Sequence, residues 1–526
     1  MTYINEIIKA SLSKSIQTGD FSDLENIQPL INKVLDKPNN LVLLSDAYKY
    51  SHHKLYEDNT TEFYSYLESR GGLFETTVFY GLQIFLKQFL EGVAIIKDDI
   101  DEAEIVLNSK DGVFGRDDVF DRSKFDYIVD THGGRLPIKI MAVPEGTIVE
   151  TKNILMSIES TDPKCAWLVN FLETIMLQIW YPITVATLSR EIKKIILKTY
   201  SITSDLSKSE IDVIIEYALN DFGLRGVSSV QSAQNGGSAH TINFFGSDNL
   251  AAQSCISKFY NTDLVYTKSI PATEHSIMTL RGEHGELEIM ERVLDKYPTG
   301  TIACVSDSYN IIRAVNEYWG DELKDKILNR SGTLVIRPDS GDIIQTLIMI
   351  FNSLFDKFGF TINSKGFKVL PDQIRVIQGD GVNINSITEV CKMLIDRKIS
   401  MENMCFGMGG KLLQAHIDRD TLNFAFKAAY VTVDGDKRNV AKSPIEINSD
   451  GSVTQSFKKS KSGRMKLVKT ENGYVTLTSD DVEYDDAKDE LINVFENGKI
   501  LVQWNFDQIR SRVIINDIEL EKIKNI

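Results

Sequence analysis

Between Tyr217 and Lys411 one pattern recurs along the chain. A short apolar run leads into a polar turn, and a longer stretch with apolar residues at helical spacing follows. Thr301-Ile-Ala-Cys-Val305 runs into Ser306-Asp-Ser-Tyr-Asn310, and Thr333-Leu-Val-Ile336 into Arg337-Pro-Asp-Ser-Gly341. Ile374-Arg-Val-Ile377 runs into Gln378-Gly-Asp-Gly381, and Asn403-Met-Cys-Phe406 into Gly407-Met-Gly-Gly-Lys411. Upstream, Tyr217-Ala-Leu-Asn220 meets Asp221-Phe-Gly-Leu-Arg225, and Thr241-Ile-Asn-Phe-Phe245 meets Gly246-Ser-Asp248. Buried strands of a parallel sheet read as short apolar runs whose helices return the chain. Six or more such units predict an α/β fold with a (β/α) barrel or an incomplete one. Ligand groups then sit on the loops just after the strands. Every one of these turns carries a charged residue or a glycine, which points to an enzyme.

The flanks lack this rhythm. Residues 1–40 read as a polar helical lead-in, and 41–165 as an amino-terminal α+β segment with turns at Gly71-Gly72 and Gly133-Gly134. The barrel-like domain spans 166–425. From 426 to 526 short strands and turns predict a β-rich piece packing with the amino-terminal segment. Trp167 to Ala186 is the most apolar stretch, yet it holds Asn170, Glu173, Gln178 and Pro182. It predicts a buried helix ended at Tyr181-Pro182 rather than a membrane span. Lys97 to Glu104 predicts a solvated helix start.

The chain has 526 residues, 42% hydrophobic and 25% charged, which excludes whole-chain disorder. A net charge of −16 argues against a dedicated nucleic-acid binder but leaves room for a local basic cleft. The five cysteines form no CxxC pair, so a reducing compartment is expected in place of a disulfide framework. No basic region followed by an apolar core opens the chain, so no signal peptide is expected.

The loops supply the candidate chemistry. Gly407, Gly409 and Gly410 precede a helical pattern whose free N–H groups suit phosphate, or they serve only as a tight turn. In Arg337-Pro-Asp339 the guanidinium can clamp phosphate while the carboxylate meets ribose or a metal-bound water. The alternative is a pair that caps its own turn. Asp307 reads as ligand or helix cap. His275 reads as catalyst or as a hydrogen-bonded structural residue. Phe222 and Arg225 can stack a flat ring and hold a phosphate, or act as core and surface residues. No HExxH, no G-x-x-x-x-G-K-[ST] and no G-x-G-x-x-G after a first strand is present, which disfavours a zinc protease, a P-loop ATPase and a dinucleotide Rossmann unit.

Over roughly residues 40–510 the chain resembles the nicotinamide phosphoribosyltransferase family. The resemblance rests on Ser45-Asp-Ala-Tyr-Lys49, Phe79-Tyr-Gly-Leu-Gln83, Ala142-Val-Pro-Glu-Gly146, Thr161-Asp-Pro-Lys-Cys165 and Trp180-Tyr-Pro-Ile-Thr-Val-Ala-Thr187. Asp221 to Ser229, Ile336 to Gly341 and Val376 to Gly381 complete it. It implies a type II phosphoribosyltransferase fold, an irregular barrel-like domain plus an α+β domain built from both terminal segments. It also implies a cytoplasmic homodimer with shared active sites that uses Mg²⁺. The implied reaction takes nicotinamide and phosphoribosyl pyrophosphate to nicotinamide mononucleotide and pyrophosphate. ATP stimulates it through a phosphorylated histidine.

By resemblance, Phe222 and Tyr48 stack the pyridine ring, Tyr48 coming from the partner subunit. Asp248 bonds the carboxamide, with Asp46 nearby and Ser269 among the substrate-binding residues. Arg225, Arg337, Gly379, Asp380, Gly409, Gly410 and Arg419 surround the phosphoribosyl group. Asp307 and Asp339 approach the ribose and the metal, and His275 resembles the phosphorylated histidine. Lys427, Lys442, Lys458 and Lys459 resemble pyrophosphate- or ATP-facing positions. The chain departs from the family pattern at Leu224, where an aromatic is common, and at Met408, where a small polar residue is usual. Two rival readings are a nicotinate phosphoribosyltransferase and a non-catalytic metabolite-binding protein on the same scaffold.

Overall fold

A computed structural model of the chain describes residues 40–456 and 458–523. The expected lead-in of residues 1–40 therefore lies, but for Asn40, outside the described residues. The chain divides into two compact units. One runs through Trp180 and resumes over Arg419–Trp504; the other comprises Tyr181–Asp418 and the residues from Asn505 onward. The boundaries expected near 165 and 425 thus fall at 180 and 418. The last residues, expected with the terminal segments, belong to the barrel unit. Arg190 shows why: its buried guanidinium donates to the carbonyls of Val513 and Ile514 and pairs with Glu519.

In the first unit, seven strands form an antiparallel sheet. Their spatial order is Asp436–Asn439, Phe424–Val433, Thr60–Ser69, Ile154–Ser160, Ile138–Ala142, Ile492–Glu496 and Lys499–Ile500. Period-two burial sets the face of Ile138–Ala142: Ile138, Ile140 and Ala142 are buried, while Lys139 and Met141 are not. The acidic run at 97–104 opens the helix Lys97–Leu107 as expected, with Asp99 buried.

In the second unit, five parallel strands run in the order Leu219–Asp221, Met404–Met408, Ile374–Gln378, Leu334–Arg337 and Ile302–Val305. Single parallel bridges continue this wall from Asp221 to Ser247, from Gly246 to Lys268 and from Ala272 to Ala303. The ring closes through these bridges, so the barrel is irregular, as expected. One expected strand is not there. Thr241 ends the helix Val230–Thr241, and Ile242 to Phe245 turns toward the bridge at Gly246.

Helices return the chain between the strands. Ile343–Phe358 starts at Asp342, whose carboxylate accepts from the Gln345 N–H. It buries Leu347, Ile350, Phe351, Leu354 and Phe358 on one face and stops at Gly359, with φ 73°. The expected single helix near Trp167–Ala186 is three. Pro182 does not end a helix but sits in the first turn of Trp180–Thr203, where its missing N–H costs no intrahelical bond. Among the described residues no single helix is long and apolar enough to cross a membrane.

Candidate active site

The strand ends gather nine of the candidate residues around one open cavity of about 530 Å³. Phe222, Arg225, Asp248, Arg337, Asp339, Gly379, Asp380, Gly409 and Gly410 line it. Phe222 follows the strand Leu219–Asp221, and its N–H donates to the Met408 carbonyl. Its ring lies across Gly407. A Cβ on Gly407 would meet the ring at 2.0 Å, so this glycine is the ring's seat. Gly226 and Gly410 meet almost backbone to backbone: a Cβ on Gly226 would lie 2.9 Å from the Gly410 Cα. Met408 is buried and does not line the cavity, whereas Leu224 is exposed and does.

Asp248 is held across the cavity by its neighbours. Its N–H donates to the Asp221 carbonyl, and the Ser269 hydroxyl bonds its carboxylate. Ser269 lines the adjoining barrel interior, which Phe222, Asp248 and Arg337 share. Below, Ala303, Val335 and Ile377 form the apolar layer against which Phe222 packs.

The carboxylates form a second group. Arg337 donates from Nε and Nη2 to Asp339, at 3.2 and 2.8 Å. The pair closes on its own turn, as the second reading expects, and both residues line the cavity. The Asp307 side chain is buried; its Oδ2 accepts from the Asp339 N–H at 2.8 Å and the Ser340 hydroxyl at 2.6 Å. Its Oδ1 is buried with no hydrogen-bond partner. His275 is half exposed, with Nδ1 3.2 Å from the Ser308 hydroxyl. Its Nε2 lies 3.9 Å from Asp307 Oδ1 and 3.7 Å from Asp339 Oδ2. Two adjacent carboxylates, one with an unsatisfied buried oxygen, form the hard oxygen donor set that Mg²⁺ prefers. Another donor cluster lies in the first unit, where His132, Asp162 and Cys165 converge. There His132 and Asp162 already pair at 2.7 Å.

The remaining candidates belong to the first unit. Arg419, Lys427, Lys442 and Lys458 line a pocket of about 260 Å³ together with Arg70 and Glu173. Arg419 thus falls with the lysines and not with the barrel loops. Lys459 is exposed and does not line the pocket. Burial, reinforced by the Arg70 and Lys442 charges, lowers the Lys427 pKa, and Glu173 at 3.6 Å opposes that shift. Tyr48 is 58% exposed on the turn Ala47–Lys54, its ring edge-on to His52. Asp46 accepts from the Thr174 hydroxyl at 2.9 Å. The sequence reading missed Arg70, Glu173, Asp221, Asn249 and the role of Gly407. Asp221 and Gly407 stood among the quoted loop residues, but only as a turn carboxylate and a phosphate-loop glycine.

A parallel barrel with glycine turns, a ring platform and clustered Arg and Asp groups at its strand ends defines a type II phosphoribosyltransferase. Residues 217–499 match the model of the nicotinate phosphoribosyltransferase (NAPRTase) family, and the chain belongs to that family. A more particular match lies toward the amino terminus, where residues 40–140 match the nicotinamide phosphoribosyltransferase amino-terminal domain. The chain is 41% identical over 478 residues to a nicotinamide phosphoribosyltransferase of Xanthomonas campestris, covering 90% of this chain and 97% of that one. It is 29% identical to the Acinetobacter baylyi protein of the same name, with 89% and 96% covered. Two solved structures share the fold. One is nicotinate-nucleotide pyrophosphorylase from Pyrococcus furiosus, with TM-score 0.54, 16% identity, and 89% and 93% covered. The other is human nicotinic acid phosphoribosyltransferase, with TM-score 0.52, 15% identity, and 92% and 94% covered.

Proposed function

We propose that this phosphoribosyltransferase joins the ring nitrogen of nicotinamide to C1 of phosphoribosyl pyrophosphate, releasing pyrophosphate and forming nicotinamide mononucleotide for NAD salvage. The observation that carries the choice of acceptor is Asp248, a carboxylate in the cavity that Phe222 lines. A carboxylate accepts from a carboxamide N–H and repels the carboxylate of nicotinate. The relatives named above support the same choice.

The chemistry needs little from the protein beyond placement and charge. The pyridine nitrogen has a free lone pair, so no general base is required. The ring must be held in line with the breaking C1–O bond, and Phe222 on its glycine seat supplies that surface. As the bond breaks, C1 becomes oxocarbenium-like and pyrophosphate takes the electron pair. Arg225, Arg337 and the glycine-loop N–H groups face that charge. Asp307 and Asp339 would hold Mg²⁺, which supplies charge neutralisation of the leaving group. His275 is the proposed acceptor of a phosphoryl group from ATP, and Tyr48 of a second subunit the proposed other face of the ring sandwich in a cytoplasmic homodimer.

The deciding assay compares nicotinamide with nicotinate, each with phosphoribosyl pyrophosphate, with and without ATP. Nicotinamide is expected to dominate kcat/KM; a preference for nicotinate would overturn the reading. His275→Ala should keep basal transfer and lose ATP stimulation, read as ADP release beside mononucleotide formation. Full ATP coupling in that variant would remove His275 from the role.

A further inference from the structure

Phe222 and Asp248 lie on different loops, and one buried pair ties those loops together. Asp221 and Asn249 are both fully buried. Asp221 Oδ1 accepts from the Gly223 N–H at 2.7 Å, closing the turn that carries Phe222. Its Oδ2 accepts from Asn249 Nδ2 at 3.0 Å. Its main chain meets the same neighbour: the Asp221 N–H donates to the Gly246 carbonyl, and the Asp248 N–H donates to the Asp221 carbonyl.

Asn249 is fixed in turn. Its Nδ2 also donates to the Ala233 carbonyl at 2.9 Å, and its Oδ1 accepts from the Ala252 N–H, capping the helix Leu250–Tyr260. Gly237 leaves room for it, since a Cβ there would meet Nδ2 at 2.3 Å. We infer that Asp221 and Asn249 are positioning residues that set the separation of Phe222 and Asp248, and through it the discrimination between pyridine acceptors. The inference rests on the reading of Phe222 as ring platform and Asp248 as carboxamide acceptor. Asp221 acts only as an acceptor in both side-chain contacts, so an amide in its place turns one of them donor to donor. Burial pushes its carboxyl up to about 6, while the Asn249 amide and the Gly223 N–H favour the ionised form that accepts from both.

The test uses the full-length enzyme with nicotinamide and nicotinate as the varied substrates. Asp221→Asn sets two amide NH₂ groups against each other. It should raise the KM for nicotinamide about tenfold or more and narrow the nicotinamide-to-nicotinate ratio, with the KM for phosphoribosyl pyrophosphate within about twofold of wild type. Adding Asn249→Asp restores a donor–acceptor pair with the partners exchanged. The double variant should recover most of the lost nicotinamide KM and selectivity, short of full recovery because the Ala233 carbonyl loses its donor. Asn249→Ser keeps a helix cap and removes the amide's links to Asp221 and to the Ala233 carbonyl. It must shift the same two parameters, which covers an Asp221→Asn protein that does not fold. Folded single variants with wild-type KM and selectivity, or a folded double variant no better than Asp221→Asn, would overturn the inference. Wild-type enzyme inactive on nicotinamide would instead overturn the reading of the acceptor.

Discussion

The barrel cavity and the basic pocket of the first unit are built on opposite electrostatic plans. In the barrel, Arg337 is paired by Asp339 on its own turn, and Asp248, Asp307 and Asp380 add further carboxylates. In the first unit Arg70, Arg419, Lys427, Lys442 and Lys458 face Glu173 and Asp420, a cationic excess. The lowered Lys427 pKa follows mainly from its burial, with the neighbouring cations adding to it. An anion there would relieve repulsion among these cations, whereas the barrel cavity carries an excess of carboxylates over its two arginines. On the proposed reading, one pocket serves chemistry and ring choice and the other holds phosphate charge.

The largest expected break in this contrast is Asp307→Ala. It removes the acceptor of the Asp339 N–H and the Ser340 hydroxyl, together with the unsatisfied oxygen beside His275. A loss of about 10³-fold in kcat/KM is expected, with the circular dichroism spectrum unchanged. More than a tenth of wild-type activity would place catalysis elsewhere.

Lys427→Ala with Lys442→Ala probes the other pocket. Loss of two charge-assisted contacts should weaken phosphoribosyl pyrophosphate or pyrophosphate binding by about 10–100-fold, with the nicotinamide KM unmoved. Pyrophosphate inhibition measured against ionic strength reads this directly; an unchanged inhibition constant and salt slope would show that the pocket serves no polyphosphate.

Asp248→Asn sharpens the barrel side. The neutral amide should cost nicotinamide on the order of 2 kcal/mol and narrow its advantage over nicotinate. Equal losses for both substrates would separate Asp248 from ring choice.

The smallest effect is one of stability and belongs to the barrel unit. Burial holds His240 near a pKa of about 4, its ring stacked on Phe244 and bonded to Ser189 and the Gly246 carbonyl. The unfolded chain protonates it near 6.5, so stability present above that pH is lost as pH falls from about 6.5 to about 4, by at most about 1.4 kcal/mol per pH unit. Urea unfolding at pH 7 and pH 5 should show a shallower pH slope in His240→Gln than in wild type.

What the sequence revealed follows from how local each signal is. The turns at 306–310, 337–341, 378–381 and 407–411 are strand-to-helix transitions within a few residues, and the strands beside them were legible, as was the fifth, expected at 217–220 and found at Leu219–Asp221. The helix Val230–Thr241 was not, because Gly236 and Gly237 are poor helix formers. Each is needed for a distant neighbour: a Cβ would meet Tyr181 Oη on the first and Asn249 Nδ2 on the second, both at 2.3 Å. Likewise the Arg190 contacts to 513–514 span over 300 residues and leave no periodic trace. Motif resemblance found Asp248 and Ser269, yet the buried Asp221–Asn249 pair behind them was invisible to spacing.

The barrel wall is continuous from Asp221 round to Ile302 on its strand-built side, but between Gly246 and Ala272 only isolated bridges hold it. Opening free energy follows the local density of such bonds. The amides of Ser247 and Lys268 should therefore exchange with deuterated water well before those of Leu334–Arg337. Asp248 and Ser269 sit on this seam, while Arg337 and Asp339 follow the ladder-bonded side. On the proposed reading, opening motions are then concentrated beneath the ring-recognising groups and are smaller beneath those assigned to the phosphates. A barrel closed with a full ladder would give both sides the same stiffness.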